Sequence, residues 1–419
     1  MSPPGPARPL LFCNILALDR RWISAETTPY LGSLLGSEPV ADLRGFPSSD
    51  TITSLLLGCW PTEHGYWHVQ LNLDAETTRA RRIFDALPDG LNRTLGCLAF
   101  LIDDSRDLAA VPSGRRRRFH LKRYKQNFRG RRVENAYRIG EMSSFLAAAE
   151  HCGRSTSYSI PRYLREARDY LGEACTGGFD IECVEVRFLD NGTHWSLDRE
   201  DRVRELYGEA DRLVKDLHGR CRDEGYSLLL MSGHGQERVR HRIDLAAALR
   251  GLGLGKNEYT HFMELPMARF WFHSDRARAA VEELLGGMEH VETLRRREME
   301  KYGFTFSDDR LGELFAFADP GYVFFPHDFY HPLANLFMAA MNPLHRRRLL
   351  SPVLRGVHGY LPGHPSERAF LTLLDHPRKL DRLEGKTTDV APTILRLSEC
   401  PVPSSMTGTS LVSERERTG

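Results

Sequence analysis

The sequence predicts an α/β fold with a mostly parallel central sheet, helices on both faces and a smaller cap or insertion. Two observations carry this. Short apolar runs at 10–18, 95–102, 183–189 and 227–231 have the length and composition of buried strands, and stretches at 199–217 and 276–285 have helical spacing. Strands alternating with helices build βαβ units, and runs that stay apolar rather than alternate belong to strands covered on both faces. The chain has 419 residues, 41% of them hydrophobic, which is ample for a large buried core. In such sheets the ligand lies beyond the carboxyl ends of the strands, so polar residues just after each run are the first candidates.

Composition narrows the function. Fifty-seven Lys and Arg against 56 Asp and Glu leave a formal charge of +1. That balance gives no global field for a nucleic-acid polymer or an anionic membrane. No apolar run approaches the roughly 20 residues of a membrane span. The run at 10–18 is followed at once by Asp19, Arg20 and Arg21 with no small-residue cleavage site, so it reads as a first strand rather than a signal peptide. Eight scattered cysteines without a CxxC pair imply a reduced, cytoplasmic protein. The expected organisation is one domain over 1–412, with insertions near 105–150 and 255–335 and a polar tail at 413–419. Within the first insertion, 115–132 packs Arg and Lys around Phe119, Tyr124 and Phe128. It could bind a phosphorylated ligand or nucleic acid through charge plus stacking, its arginines clamping a second phosphate, but the balanced net charge favours a solvated surface loop.

The elements supply their chemistry in order. The first strand ends at Asp19, a carboxylate that could hold a cation in the crevice or cap the following segment. Next, Gly45-Phe46-Pro47-Ser48-Ser49-Asp50-Thr51 opens a helix with hydroxyls at its first positions. Capping explains any one of them, and a nucleophile at a helix N-terminus, where amides favour an anion, explains one as well. Asp190 and His194 are four residues apart, a spacing that puts both on one side of a helical turn, able to share a zinc-like ion. His234 follows the strand at 227–231, and His358 stands between glycines. Each histidine alone suits a core or surface role; several at strand exits point to a metal centre.

The order of these pieces resembles the alkaline phosphatase superfamily, above all its nucleotide pyrophosphatase/phosphodiesterase branch. The resemblance starts at Thr28-Pro29-Tyr30-Leu31, similar to that branch's Thr-Pro-Asn-Leu. It continues through Ser54-Leu55-Leu56-Leu57-Gly58, Pro61 and His64-Gly65, and closes with Asp389-Val390-Ala391-Pro392-Thr393, Pro401 and Gly408. It implies an alkaline-phosphatase-like sheet and a metal-dependent phosphoester hydrolase using one or two Zn²⁺ or other divalent ions. Ser48 matches the nucleophile by spacing from Gly58, although alignment on Pro47-Ser48 would put Asp50 in that slot. Asp190, His194 and His358 match one metal site, and Asp19 and His234 match the second.

One departure stands out. The family's Asp-His-Gly reads Gly233-His234-Gly235, so the second site lacks a carboxylate. Three readings follow: Asp50 replaces it, one metal suffices, or hydrolysis is lost while binding, or transfer to another acceptor, is kept. The residues after Ser48 do not fit the sulfatase pattern, which needs Pro and Arg at the second and fourth positions. Trp67, His68 and the aromatic 262–331 region suit either a pocket for an organic leaving group or core packing. The implied partner is a small phosphorylated metabolite or nucleotide, with no polymer and no membrane.

Overall fold

The computed structural model describes residues 8–47, 52–65, 67, 142–255, 257–328, 330 and 353–413, with short pieces at 70–72, 91, 119–121, 138–139, 332 and 336. The chain forms two compact units, one from 1–64, 124–237 and 361–419, the other from 65–123 and 238–360. The predicted strand at 95–102, most of the basic stretch and nearly all of the polar tail lie outside the described residues.

The first unit is built on a seven-stranded sheet. Its strands are β1 (Leu10–Ile15), β2 (Val40–Arg44), β3 (Thr156–Ser159), β4 (Ile181–Val186), β5 (Ser227–Ser232), β6 (Arg368–Leu374) and β7 (Glu384–Lys386). Their order across the sheet is β7-β2-β6-β5-β1-β4-β3. β1 is parallel to β4 and β5, β3 is parallel to β4, and β7 is parallel to β2. β6 alone runs the other way, antiparallel to both β5 and β2. The carboxyl ends of β1, β2, β4 and β5 therefore share one edge.

Every residue of β1, β4 and β5 is buried, which is why these segments are mainly apolar, with Asn14, Glu182 and Glu185 among the buried polar exceptions. Leu11, Cys13 and Ile15 face one core with Val184, Val186, Leu228 and Leu230, against Val203, Leu206, Tyr207 and Leu213. The last four lie on the helix Glu200–Asp223, and Leu31 and Leu34 of the helix Pro29–Ser37 join them. On the opposite face Phe12 meets Phe145 edge-on. The Thr28-Pro29-Tyr30-Leu31 motif has a local reason. Asp211 accepts from the backbone N–H of Leu31 at 2.7 Å and of Tyr30 at 3.3 Å, so a neighbouring helix caps this one.

Two boundaries differ from the sequence reading. β1 stops at Ile15 because Ala17 takes a left-handed backbone, φ 61°, which ends the extended run. The apolar run at 183–189 straddles a strand and a helix: β4 ends at Val186 and a helix covers Phe188–Ser196. Periodicity alone does not separate those two states in a short apolar run.

The second unit holds a four-stranded antiparallel sheet, in order Tyr259–Met263, Met267–Phe272, Leu314–Ala318 and Val291–Arg295. The helices Leu245–Gly251 and Asp275–Gly286 share its core through Leu245, Leu249, Val281 and Leu285. Trp67 is fully buried here. Its ring stacks on Phe315 at 5.3 Å and Phe306 at 6.0 Å, with the Arg269 guanidinium 5.1 Å from its centroid. Packing accounts for Trp67 without a substrate. Among the described residues no helix is long and apolar enough to cross a membrane.

Candidate metal centre

Three strand exits deliver the candidate groups to one edge of the first sheet. After β1, Tyr207 fixes the turn: its hydroxyl donates to the Ala17 carbonyl at 2.7 Å and accepts from the Asp19 N–H at 2.9 Å. After β4, the helix Phe188–Ser196 carries Asp190 and His194 one turn apart, His194 Nε2 lying 3.3 Å from Asp190 Oδ1. After β5, Ser232 Oγ donates to the His234 carbonyl at 3.1 Å. His234 Nδ1 lies 2.9 Å from the Gly235 carbonyl, which can only accept. The proton is therefore on Nδ1, and Nε2 is the ring's acceptor. Burial lowers the His234 pKa and outweighs the nearby Asp190 charge, so the imidazole is neutral, the form that ligates metal.

Asp190 Oδ1 and His194 Nε2 offer two ligand atoms within the first unit, and His358, the third residue that the resemblance assigns to this site, belongs to the second unit. The donor set fits a divalent ion such as zinc. One carboxylate and two imidazoles are the three protein ligands of a catalytic site that keeps a position open. Gln236 supports the fit. Its Nε2 donates to Asp190 Oδ1 at 2.7 Å, while its buried Oε1 has no hydrogen-bond partner among the described residues. An amide that orients a ligating carboxylate is the usual outer layer of a metal site.

Asp19 has a different partner. It caps the short 3₁₀ turn Arg20–Trp22, its Oδ1 accepting from the Arg21 N–H at 2.9 Å. Arg21 then folds back onto it. Nε lies 3.1 Å from Oδ1 and 3.0 Å from Oδ2, and Nη2 lies 2.7 Å from Oδ2. The same guanidinium reaches the Gln236 carbonyl through Nη2 at 2.7 Å and Glu237 Oε2 through Nη1 at 3.0 Å. Burial pulls the Arg21 pKa down, but the hydrogen bonds and charge of Asp19, with those of Glu237, more than reverse this and hold it above its ordinary value. Of the two roles open to Asp19 in the sequence, capping is the one the structure displays.

Sequence reasoning missed Arg21, Gln236 and Glu237. Arg21 had a signal, an arginine two residues after a strand-exit aspartate, but Arg20 beside it gives the same one. Ser48, Asp50 and His68 lie outside the described residues.

No family model matches the chain, and no curated protein does. Solved structures do. Mouse ectonucleotide pyrophosphatase/phosphodiesterase 5 aligns over 97% of this chain and 100% of its own, at TM-score 0.64 and 13% identity. Its inactive variant in complex with AMP aligns at TM-score 0.65 and 13% identity, with the same coverage. The human protein aligns over 96% of this chain and 97% of its own, at TM-score 0.61 and 12% identity. The fold is that of the nucleotide pyrophosphatase/phosphodiesterases.

Within this phosphodiesterase-like fold, the opening and closing segments that carry the resemblance pack on each other. Ser54 Oγ lies 3.0 Å from His64 Nε2, and Thr407 Oγ1 donates to Glu63 at 2.9 Å. The Gly408 N–H donates to the Gly58 carbonyl at 2.9 Å. Gly58 takes a left-handed backbone, φ 62°, and Gly408 makes a close approach to backbone. A Cβ on Gly58 would meet Met406 at 3.1 Å, and one on Gly408 would sit 2.1 Å from the Thr388 carbonyl oxygen. Because that obstacle is backbone, Gly408→Ala is expected to cost about 3 kcal/mol, at the upper end of overpacking penalties. A denaturation midpoint equal to the parent's would refute it.

Proposed function

We propose that this protein is a metal-dependent phosphoester hydrolase acting on a small phosphorylated metabolite or nucleotide. The observation that carries the reading is the Asp190–His194 pair one helical turn apart at a strand exit, set in a phosphodiesterase-like fold; His358 is the proposed third ligand. A nucleotide-sized substrate is supported by the AMP bound to the mouse relative's inactive variant.

Asp190, His194 and His358 would hold the ion, which when bound supplies a Lewis acid for a phosphoryl oxygen. The chain supplies the rest. Gln236 keeps Asp190 Oδ1 in place through its 2.7 Å hydrogen bond. Ser48 is the proposed nucleophile: its Oγ attacks phosphorus, the alcohol leaves, and water then cleaves the phosphoserine ester and frees Ser48. Support for Ser48 is positional. The described chain before it ends at Pro47, three residues beyond β2, whose carboxyl end shares an edge with those of β1, β4 and β5.

The test is metal analysis of purified protein alongside turnover of aryl phosphate mono- and diesters. A bound zinc-class ion, with turnover lost on chelation and restored by the metal, is expected. Bound metal without turnover of any ester would favour the alternative, a protein that binds a phosphorylated ligand and does not cleave it. That alternative draws on Gly233 and on the engagement of Asp19 by Arg21.

A further inference from the structure

We propose that Arg21 is the resident cation of what would be the second metal site, so that the centre holds one metal ion per chain. This deepens the hydrolase reading and rests on it. Four observations converge. Both oxygens of Asp19 are taken by Arg21, through Nε, Nη2 and the backbone N–H. The guanidinium is anchored on its far side as well, by Glu237 Oε2 and the Gln236 carbonyl, so it is built in rather than resting on the carboxylate. Asp19 is almost fully buried, its side chain 3% exposed, and Gly235 presses on it: a Cβ at that glycine would fall 2.1 Å from Oδ2. Finally, Gly233 offers no carboxylate where the family motif has one.

Charge decides between guanidinium and metal. A divalent ion here would need carboxylates to offset it, yet the Gly233 position has lost one and Arg21 has added a positive charge. Asp19 and Glu237 together carry two negative charges, and Arg21 already neutralises one of them. A guanidinium presents a planar fork that matches a carboxylate bidentately and does not deprotonate at any working pH. A divalent ion entering would have to displace it and would find Asp19 and His234 as its protein ligands beside the serine oxygen, short of four. Arg21 is a positioning residue: it holds Asp19 and excludes a second ion.

The experiment is zinc stoichiometry, by elemental analysis of dialysed protein and by cobalt titration followed through its d–d absorption. The parent protein is expected to bind one ion per chain, and Asp19→Asn is expected to leave that number unchanged. Gly233→Asp alone is expected to stay at one, because Arg21 remains in place. Arg21→Gln with Gly233→Asp is expected to rise to two, and adding His194→Ala to that pair should bring it back to one. Two tightly bound ions in the parent would overturn the inference without needing any variant, and would leave the hydrolase reading standing. A double variant that folds, by circular dichroism, and still binds one ion would also overturn it. No ion in the parent would overturn the hydrolase reading itself and the inference with it.

Discussion

Alanine at position 194 is expected to empty the metal centre and abolish phosphoester turnover. His194 is one of the three proposed ligands, its Nε2 lying 3.3 Å from Asp190 Oδ1, and alanine offers no ligand atom. Two protein ligands hold zinc poorly where sites of this kind use three. Loss of an outer hydrogen-bonding partner typically costs about 10- to 100-fold in metal affinity, so loss of a direct ligand is expected to exceed about 100-fold. Gln236→Leu supplies the comparison. It removes the 2.7 Å hydrogen bond to Asp190 Oδ1 and leaves every ligand in place. It should therefore fall within that outer-partner range and regain turnover at raised zinc, where His194→Ala does not. The measurements are competition titration with a zinc indicator and rates on an aryl phosphodiester across zinc concentration. His194→Ala with parental zinc affinity would remove this residue from the centre. Because His194 lies on the helix Phe188–Ser196 and outside the buried hydrophobic core, circular dichroism should be unchanged.

The sheet was readable because burial on both faces leaves a simple mark. β1, β4 and β5 are buried along their whole length and mostly apolar, so each could be placed from sequence within a few residues. Their carboxyl ends then pointed to Asp19, Asp190 and His234. What sequence could not supply was the choice among equivalent roles. Asp19 is equally a cap or a ligand in the sequence, and the choice depends on Arg21 turning back across it and on Glu237, 216 residues beyond Arg21. Contacts over that separation have no local pattern. Gln236 was hidden for a similar reason, since an amide beside a histidine carries no signal until its distance to Asp190 is known. The glycines at 58 and 408 show the reverse case. They recur in a motif, yet the reason is a left-handed backbone at Gly58 and space for the Thr388 carbonyl at Gly408, not chemistry at phosphorus.

Arg21 also changes how the nucleophile is expected to behave. With one metal and one fixed guanidinium, the centre has less charge to stabilise a serine alkoxide than a two-metal site would. Asp190, His194 and His358 are left as the proposed metal ligands, and Arg21 contributes by fixing Asp19 at a neighbouring strand exit.

Ser48→Ala is expected to lower turnover by at least about 10³-fold, since removing the nucleophile of a covalent mechanism leaves only binding and electrostatics to accelerate the reaction. The fold should survive. If Ser48 also caps the helix that begins at Ile52 or a turn before it, its loss costs about 1 kcal/mol, small beside the core around β1, β4 and β5. The metal should survive too, because Asp190, His194 and His358 are untouched. The decisive signature is therefore an inactive protein that retains one zinc per chain and a parental denaturation midpoint. Two companions separate the rivals in the same segment. Ser49→Ala and Thr51→Val remove the neighbouring hydroxyls, and each should keep activity within a few-fold of the parent. A phosphoserine ester, trapped by acid quench from a substrate with a good leaving group and found on the peptide containing Ser48, would place the bond directly. Ser48→Ala with full activity would shift the nucleophile to one of those hydroxyls. Full activity in all three variants would leave the covalent step without a serine or threonine in this segment, and water attacking phosphorus directly would take its place.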